Sequence, residues 1–172
     1  MRNLFAIFLL FLTIPELSTA QQYNKTGIDN KTQNTILIGP CNRDGLKTGD
    51  FGARFFSEYD NYHADTSIIN QLKNLRQNLT ITIISGTWCD DSKEQIPRFY
   101  KILDEAGFDE NDIRLISIDR DKKAGDLNID SLKITLVPTF IVYYDNKETG
   151  RIVEAPKQSL EKDLYSIIPK VN

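Results

Sequence analysis

Cysteine is scarce in this sequence: Cys41 and Cys89 are the only two among 172 residues. Two thiols cannot staple a small secreted domain, so an apolar core must do the stabilising and each cysteine needs its own explanation. Histidine is scarcer still. His63 stands alone in a polar stretch beside Tyr62, which predicts a solvent-exposed side chain. A metal held by Cys41, Cys89 and His63, or a protease-like Cys89 and His63 dyad, would need a convergence that the order of residues does not provide. The acidic stretch from Asp119 to Asp126 lacks the glycine position and closing glutamate of a calcium loop and reads as a solvated turn. No cofactor or metal is expected. Charge of one sign is not in excess either: 21 basic and 24 acidic side chains give a formal net charge of −3, interspersed rather than in blocks. That removes the electrostatic footprint of a nucleic-acid or anionic-lipid binder and leaves a protein or small molecule as the expected partner.

Long apolar runs are missing, with one exception at the start. Met1-Arg2-Asn3 is followed by the nearly unbroken apolar stretch Leu4 to Ile14 and by the small residues Ser18-Thr19-Ala20. This pattern predicts a cleavable signal peptide over residues 1–20. About a dozen apolar residues fall short of the roughly 20 that cross a bilayer, and no later stretch is longer. The expectation is an exported protein with no membrane attachment after cleavage.

Apolar residues make up 40% of the chain, enough for one ordinary core. Residues 21–34 are polar, with only Tyr23 and Ile28 to bury, and predict a flexible leader. Within and beyond them, Asn24, Asn30 and Asn78 open glycan-acceptor triplets, which an Asn-rich composition produces by chance. Residues 35–78 read as an N-terminal helical extension packed on the main domain: Gly39-Pro40 and Gly45 mark turns, Phe51, Phe55, Phe56 and Tyr59 recur at helical spacing, and Asp65 caps a helix carrying Ile68, Ile69, Leu72 and Leu75. The three phenylalanines read as core aromatics, with a partner-binding stripe as the alternative.

Residues 79–172 read as one α/β domain. Thr80 to Ser85 is a β-branched strand, and Ser92 to Ala106 a helix kinked by Pro97 and closed by Gly107. Ile113 to Ile118 is the next strand, and a short helix is expected around Ile129 to Ile134. Phe140 to Tyr144 and Gly150 to Glu154 form a hairpin around Asp145-Asn146-Lys147, and Ser159 to Ile168 is an amphipathic closing helix. The strands that bracket the long helix should be parallel, in a mixed central sheet.

Trp88-Cys89-Asp90-Asp91-Ser92 falls between the first of these strands and the long helix. Unpaired amides at a helix start favour a thiolate, while Asp90, Asp91 and Glu94 oppose it and Lys93 and Arg98 offset them in part. Asp90 and Asp91 read as helix-start residues rather than as an acid/base pair.

A buried strand, Trp-Cys-X-X-Ser, a proline-containing helix and Val137-Pro138-Thr139 ahead of the next strand together resemble the thioredoxin family over residues 79–168. Gly86 to Cys89 and Pro97 to Asp104 are also similar to bacterial exported thioredoxin-like proteins, which makes the periplasm the expected destination and the exterior the alternative. The resemblance implies a thioredoxin-like three-layer sandwich with a mixed central sheet and an N-terminal helical extension. It implies that Cys89 is the nucleophile, supported by Ser92, and that Trp88, Val137, Pro138 and Thr139 bind substrate, with Pro138 cis. The implied partner is a thiol- or disulfide-containing protein or small molecule.

Two departures limit what that site could do. Ser92 stands where the family has its resolving cysteine, so a mixed disulfide at Cys89 has no release within the motif. The strand Ile81-Thr82-Ile83-Ile84 also lacks the buried carboxylate of thioredoxin itself. If the Gly39-Pro40-Cys41 loop folded over the site, Cys41 could resolve or pair with Cys89; otherwise Cys41 is a small buried residue. Monothiol thiol-disulfide exchange is therefore the leading expectation, suited to isomerisation or deglutathionylation. A non-catalytic peptide-binding module and a redox-sensing thiol protein are its rivals.

Overall fold

The computed structural model describes residues 23–169, so the stretch read as a signal peptide lies outside the described residues. The sheet is built around β4 (Leu79–Ser85). Ile81, Ile83 and Ile84 of this strand are buried, as a β-branched run between two layers should be. β4 pairs parallel with β5 (Ile113–Ser117) and antiparallel with β6 (Thr139–Tyr144). β7 (Lys147–Val153) adds antiparallel to β6, with a register shift between Val142 and Tyr143. β3 (Gly39–Cys41) adds antiparallel to β5 at the other edge, giving the order β3-β5-β4-β6-β7. The sheet is mixed, as expected.

Five helices, α1 (Arg43–Leu46), α2 (Gly49–Asn61), α3 (Thr66–Leu75), α4 (Asp90–Ala106) and α5 (Leu160–Ile167), contribute to one core layer. Leu46, Phe51, Phe55, Ile69, Leu72, Phe99 and Leu164 pack there against Ile81, Ile83, Leu115 and Phe140. The opposite face, with Ile84, Ile116 and Ile141, is covered by Ile118, Ala124, Ile129 and Val137. This third layer is thin: the helix expected around Ile129 to Ile134 is a single 3₁₀ turn, Asp130–Leu132. Phe56 is 52% exposed and belongs to neither core, unlike Phe51 and Phe55.

α4 continues through Pro97, which is buried within it, and ends where Gly107 takes φ 73°. The Phe108 N–H bonds back to the Leu103 carbonyl at 3.0 Å, a left-handed helix termination that glycine adopts without strain. Asp65 caps α3 by accepting from the Ser67 N–H at 3.0 Å, and Ser159 caps α5.

The described part of the segment expected to be a flexible leader, residues 23–34, carries the first strand and the turn of a hairpin. β1 (Thr26–Ile28) pairs antiparallel with β2 (Thr35–Leu37). Apolar content misled because the anchor is polar. Tyr23 and Ile28, the candidates for burial, are 51% and 61% exposed, whereas Asp29 is 1% exposed. Its carboxylate accepts from Arg120 Nε at 2.7 Å and Nη2 at 3.0 Å, and from the Thr32 hydroxyl at 2.5 Å and amide at 3.2 Å. These donors hold its carboxyl well below the usual carboxylate range, the Arg120 bond first. For a group with a lowered native value, the stabilisation is complete above the unfolded carboxylate range, roughly pH 4, and is lost as pH falls through the native one. The Asp29 carboxyl ¹³C shift is therefore expected to stay flat from neutrality down to about pH 3. A titration step near pH 4 would show that the hairpin is not anchored through this pair.

Candidate active site

Gly86-Thr87-Trp88 turns the chain from β4 into α4, and the turn is closed by the Cys89 N–H donating to the Gly86 carbonyl at 2.8 Å. A Cβ on Gly86 would stand 2.9 Å from the Trp88 ring and 3.0 Å from Val137 Cγ2, so only glycine admits this close approach. Cys89 is the N-cap residue of α4, with extended backbone and no side-chain bond to the helix amides. Asp90 and Asp91 fall in the first helical turn, where they complement the dipole without capping it.

The Cys89 thiol donates to the Val137 carbonyl at 3.4 Å and lies 3.9 Å from Asp91 Oδ2. The Val137-Pro138 peptide is cis. The fold thus brings together Cys89 and the Val-Pro pair, 48 positions apart in sequence. Trp88 flanks them, its Nε1 donating to the Ile118 carbonyl at 2.9 Å. The Pro138 carbonyl is taken by the Glu154 N–H at 2.7 Å, while the Val137 N–H has no partner among the described residues. Leu136, not singled out by the sequence reading, is 47% exposed just before this pair and supplies an apolar rim.

Several expected roles change. Ser92 is fully buried, and its hydroxyl oxygen accepts from the Gly86 N–H at 3.2 Å. No bond joins it to the Cys89 sulfur among the described residues, so it holds the turn. Thr139 is also buried, its hydroxyl donating to the Leu136 carbonyl at 2.7 Å; it braces the cis-proline loop from behind. Arg98, expected to offset the acids near Cys89, is engaged by Glu58 at 2.7 Å and Glu94 at 2.7 Å, an ion cluster that ties α2 to α4. Lys93 pairs with Asp90 at 3.7 Å.

Cys41 does not reach Cys89. Pairing of Gly39 with Ser117 and of Cys41 with Leu115 makes the expected loop a strand. The Cys41 side chain belongs to the helix-side core, and its thiol donates to the Gly39 carbonyl at 3.3 Å. Cys89 packs on the opposite side of the sheet. Both thiols are free, and burial pushes the Cys41 thiol pKa up.

A cleft of about 780 Å³ opens beside Cys89. Trp88, Cys89 and Arg120 line it together with Thr32 and Thr35 of the hairpin and Asp50 of α2. The hairpin and the start of α2 are regions with no motif to mark them. The described residues hold no cluster of three metal-ligating side chains, and no helix among them is long and apolar enough to cross a membrane.

This order of elements, with cysteine at the strand-to-helix turn facing a cis-proline, defines the architecture. The domain is thioredoxin-like in fold. No family model and no curated protein matches the chain. Among solved structures, a Pseudomonas aeruginosa protein of unknown function is similar at 18% identity and a TM-score of 0.46, over 64% of this chain and 65% of that one, just under two thirds of its length. A thioredoxin-like protein of Edwardsiella tarda is similar at 15% identity and a TM-score of 0.39, over 63% of this chain and 96% of that one. Thioredoxin of Trypanosoma brucei brucei is similar at 22% identity and a TM-score of 0.37, over 57% and 83%. At these levels the likenesses say nothing of activity.

Proposed function

We propose that this chain is an exported, periplasmic monothiol protein that carries out thiol-disulfide exchange through Cys89. The observation that carries the reading is the placement of the Cys89 sulfur, at the start of α4 and 3.4 Å from the carbonyl that precedes cis-Pro138. Export rests on the sequence of residues 1–20.

Thiolate sulfur is the attacking species in such exchange. The Cys89 thiol yields its proton to solvent, and its sulfur attacks one sulfur of a substrate disulfide. A Cys89–S–S–R bond forms, the substrate S–S bond breaks, and the other half departs as a thiolate that takes a proton from water. An external thiol then attacks the mixed disulfide and returns Cys89. Each step exchanges one disulfide for another: the external thiol is oxidised into the new disulfide as half of the substrate leaves reduced, and Cys89 is regenerated. The Val137 N–H, without a partner among the described residues, supports backbone pairing with an extended substrate, and Leu136 offers it an apolar contact.

A non-catalytic binding module is favoured by one observation: Ile83 is buried in the strand where thioredoxin itself carries its carboxylate, so no buried acid serves a leaving thiol from there. Trapping separates the two. Incubation with excess oxidised glutathione is expected to yield one adduct, mapped by peptide mass spectrometry to Cys89, that dithiothreitol removes, with Cys41 unmodified. An unmodified Cys89 under conditions that modify a free peptide thiol would establish the binding module.

A further inference from the structure

The hairpin is bound to the active-site tryptophan by a continuous set of contacts. Buried Asp29 holds Arg120 through two bonds, at 2.7 and 3.0 Å. The Arg120 guanidinium carbon lies 4.4 Å from the centre of the Trp88 ring. Trp88 is thus gripped on its face by Arg120 and at its edge by the Ile118 carbonyl. A second tie runs from the Leu37 N–H to the Thr87 hydroxyl at 3.0 Å, 50 positions away in sequence. A planar guanidinium serves here because it can pair bidentately in its plane and stack on an aromatic ring with its face.

What the wall encloses gives it a purpose. Thr32 and Thr35 of the hairpin and Thr48 and Asp50 at the start of α2 line the same cleft as Cys89. Its volume, about 780 Å³, lies within the roughly 300–1,000 Å³ of clefts that take small ligands. A cleft of this size suits a small disulfide. We infer that the β1–β2 hairpin, latched to Trp88 through Asp29 and Arg120, is a specificity element that admits low-molecular-weight disulfides to Cys89 and obstructs those of folded proteins. This rests on the proposed exchange at Cys89. Asp29 is a positioning residue, acting through Arg120, whereas Arg120 both holds Trp88 and lines the cleft with Cys89.

The test compares wild type with Arg120→Gln, Asp29→Asn and Arg120→Lys, using hydroxyethyl disulfide and insulin as substrates. Trp88 is the only tryptophan, so its emission reports the latch without reference to turnover. Arg120→Gln and Asp29→Asn are expected to red-shift that emission and increase its quenching by iodide. They should also raise KM for hydroxyethyl disulfide about tenfold with kcat within about twofold, and raise the insulin rate relative to it. Arg120→Lys, which keeps the charge but not the planar fork, should fall between. Equal changes on both substrates, or no change on either, would overturn the inference. Absence of Cys89-dependent exchange in wild type would instead sink the functional reading, and the latch would then stand or fall on Trp88 emission and quenching.

Discussion

Replacing Cys89 with serine is expected to reduce disulfide exchange to the rate in buffer, a loss of at least about a hundredfold. A serine hydroxyl stays protonated near neutral pH and forms no stable bond to sulfur, so neither attack nor the mixed disulfide survives. Cys41 cannot compensate because it is buried on the far side of the sheet, its thiol bonded to the Gly39 carbonyl. Cys89 is only partly buried, so the substitution should change stability by no more than about 1 kcal/mol. Exchange with hydroxyethyl disulfide and a thermal melt of the same sample check both halves. Activity retained by Cys89→Ser and lost in Cys41→Ser would move the chemistry to Cys41 and defeat the assignment.

Phe99→Ala should destabilise the fold by about 3–5 kcal/mol. Phe99 is fully buried in α4, and its ring centroid lies 4.2 Å from that of Phe140 in β6. Truncation removes this aromatic contact and leaves a cavity between helix and sheet, which the surrounding packing fills only in part. Such a loss is a large share of the 5–15 kcal/mol typical of a domain. It also reaches the site: α4 starts beside Cys89, and β6 starts at Thr139, next to Pro138. Loosening their contact loosens the Cys89 and Val137 juxtaposition. Urea unfolding should show a lower midpoint with an unchanged slope. Phe56→Ala, the same change at an exposed position of α2, should cost less than about 0.5 kcal/mol. Equal costs at the two positions would contradict the division between core and surface.

Legibility in the sequence followed range. The Cys89 turn, α3 with its Asp65 cap, α4 with its Gly107 stop and the β6–β7 hairpin were readable because each is specified by neighbours: alternation, helical spacing, capping and turn residues. Val137-Pro138 was found only because its pattern resembles a known family; nothing in a Val-Pro pair by itself says that it will face a cysteine. Ser92 and Thr139 were legible as positions and not as roles. Both hydroxyls turned inward, to Gly86 and Leu136, once the surrounding elements packed.

The hairpin shows the opposite case. Residues 24–34 have too few apolar side chains to announce a packed element, and their anchor is a carboxylate whose partner lies 91 positions away. An Asp and an Arg at that separation form one of many possible pairs, and charge alone does not choose among them.

By itself the sequence determined an α/β domain, the placement of Cys89 at a strand-to-helix turn and the lack of a neighbouring resolving cysteine, since these depend on local order and residue identity. Only the tertiary structure decided that Cys41 is shut away from Cys89 and that the polar leader walls the cleft. Both turn on which face of the sheet a side chain occupies and on which distant charge it meets, and chain order does not encode either one locally.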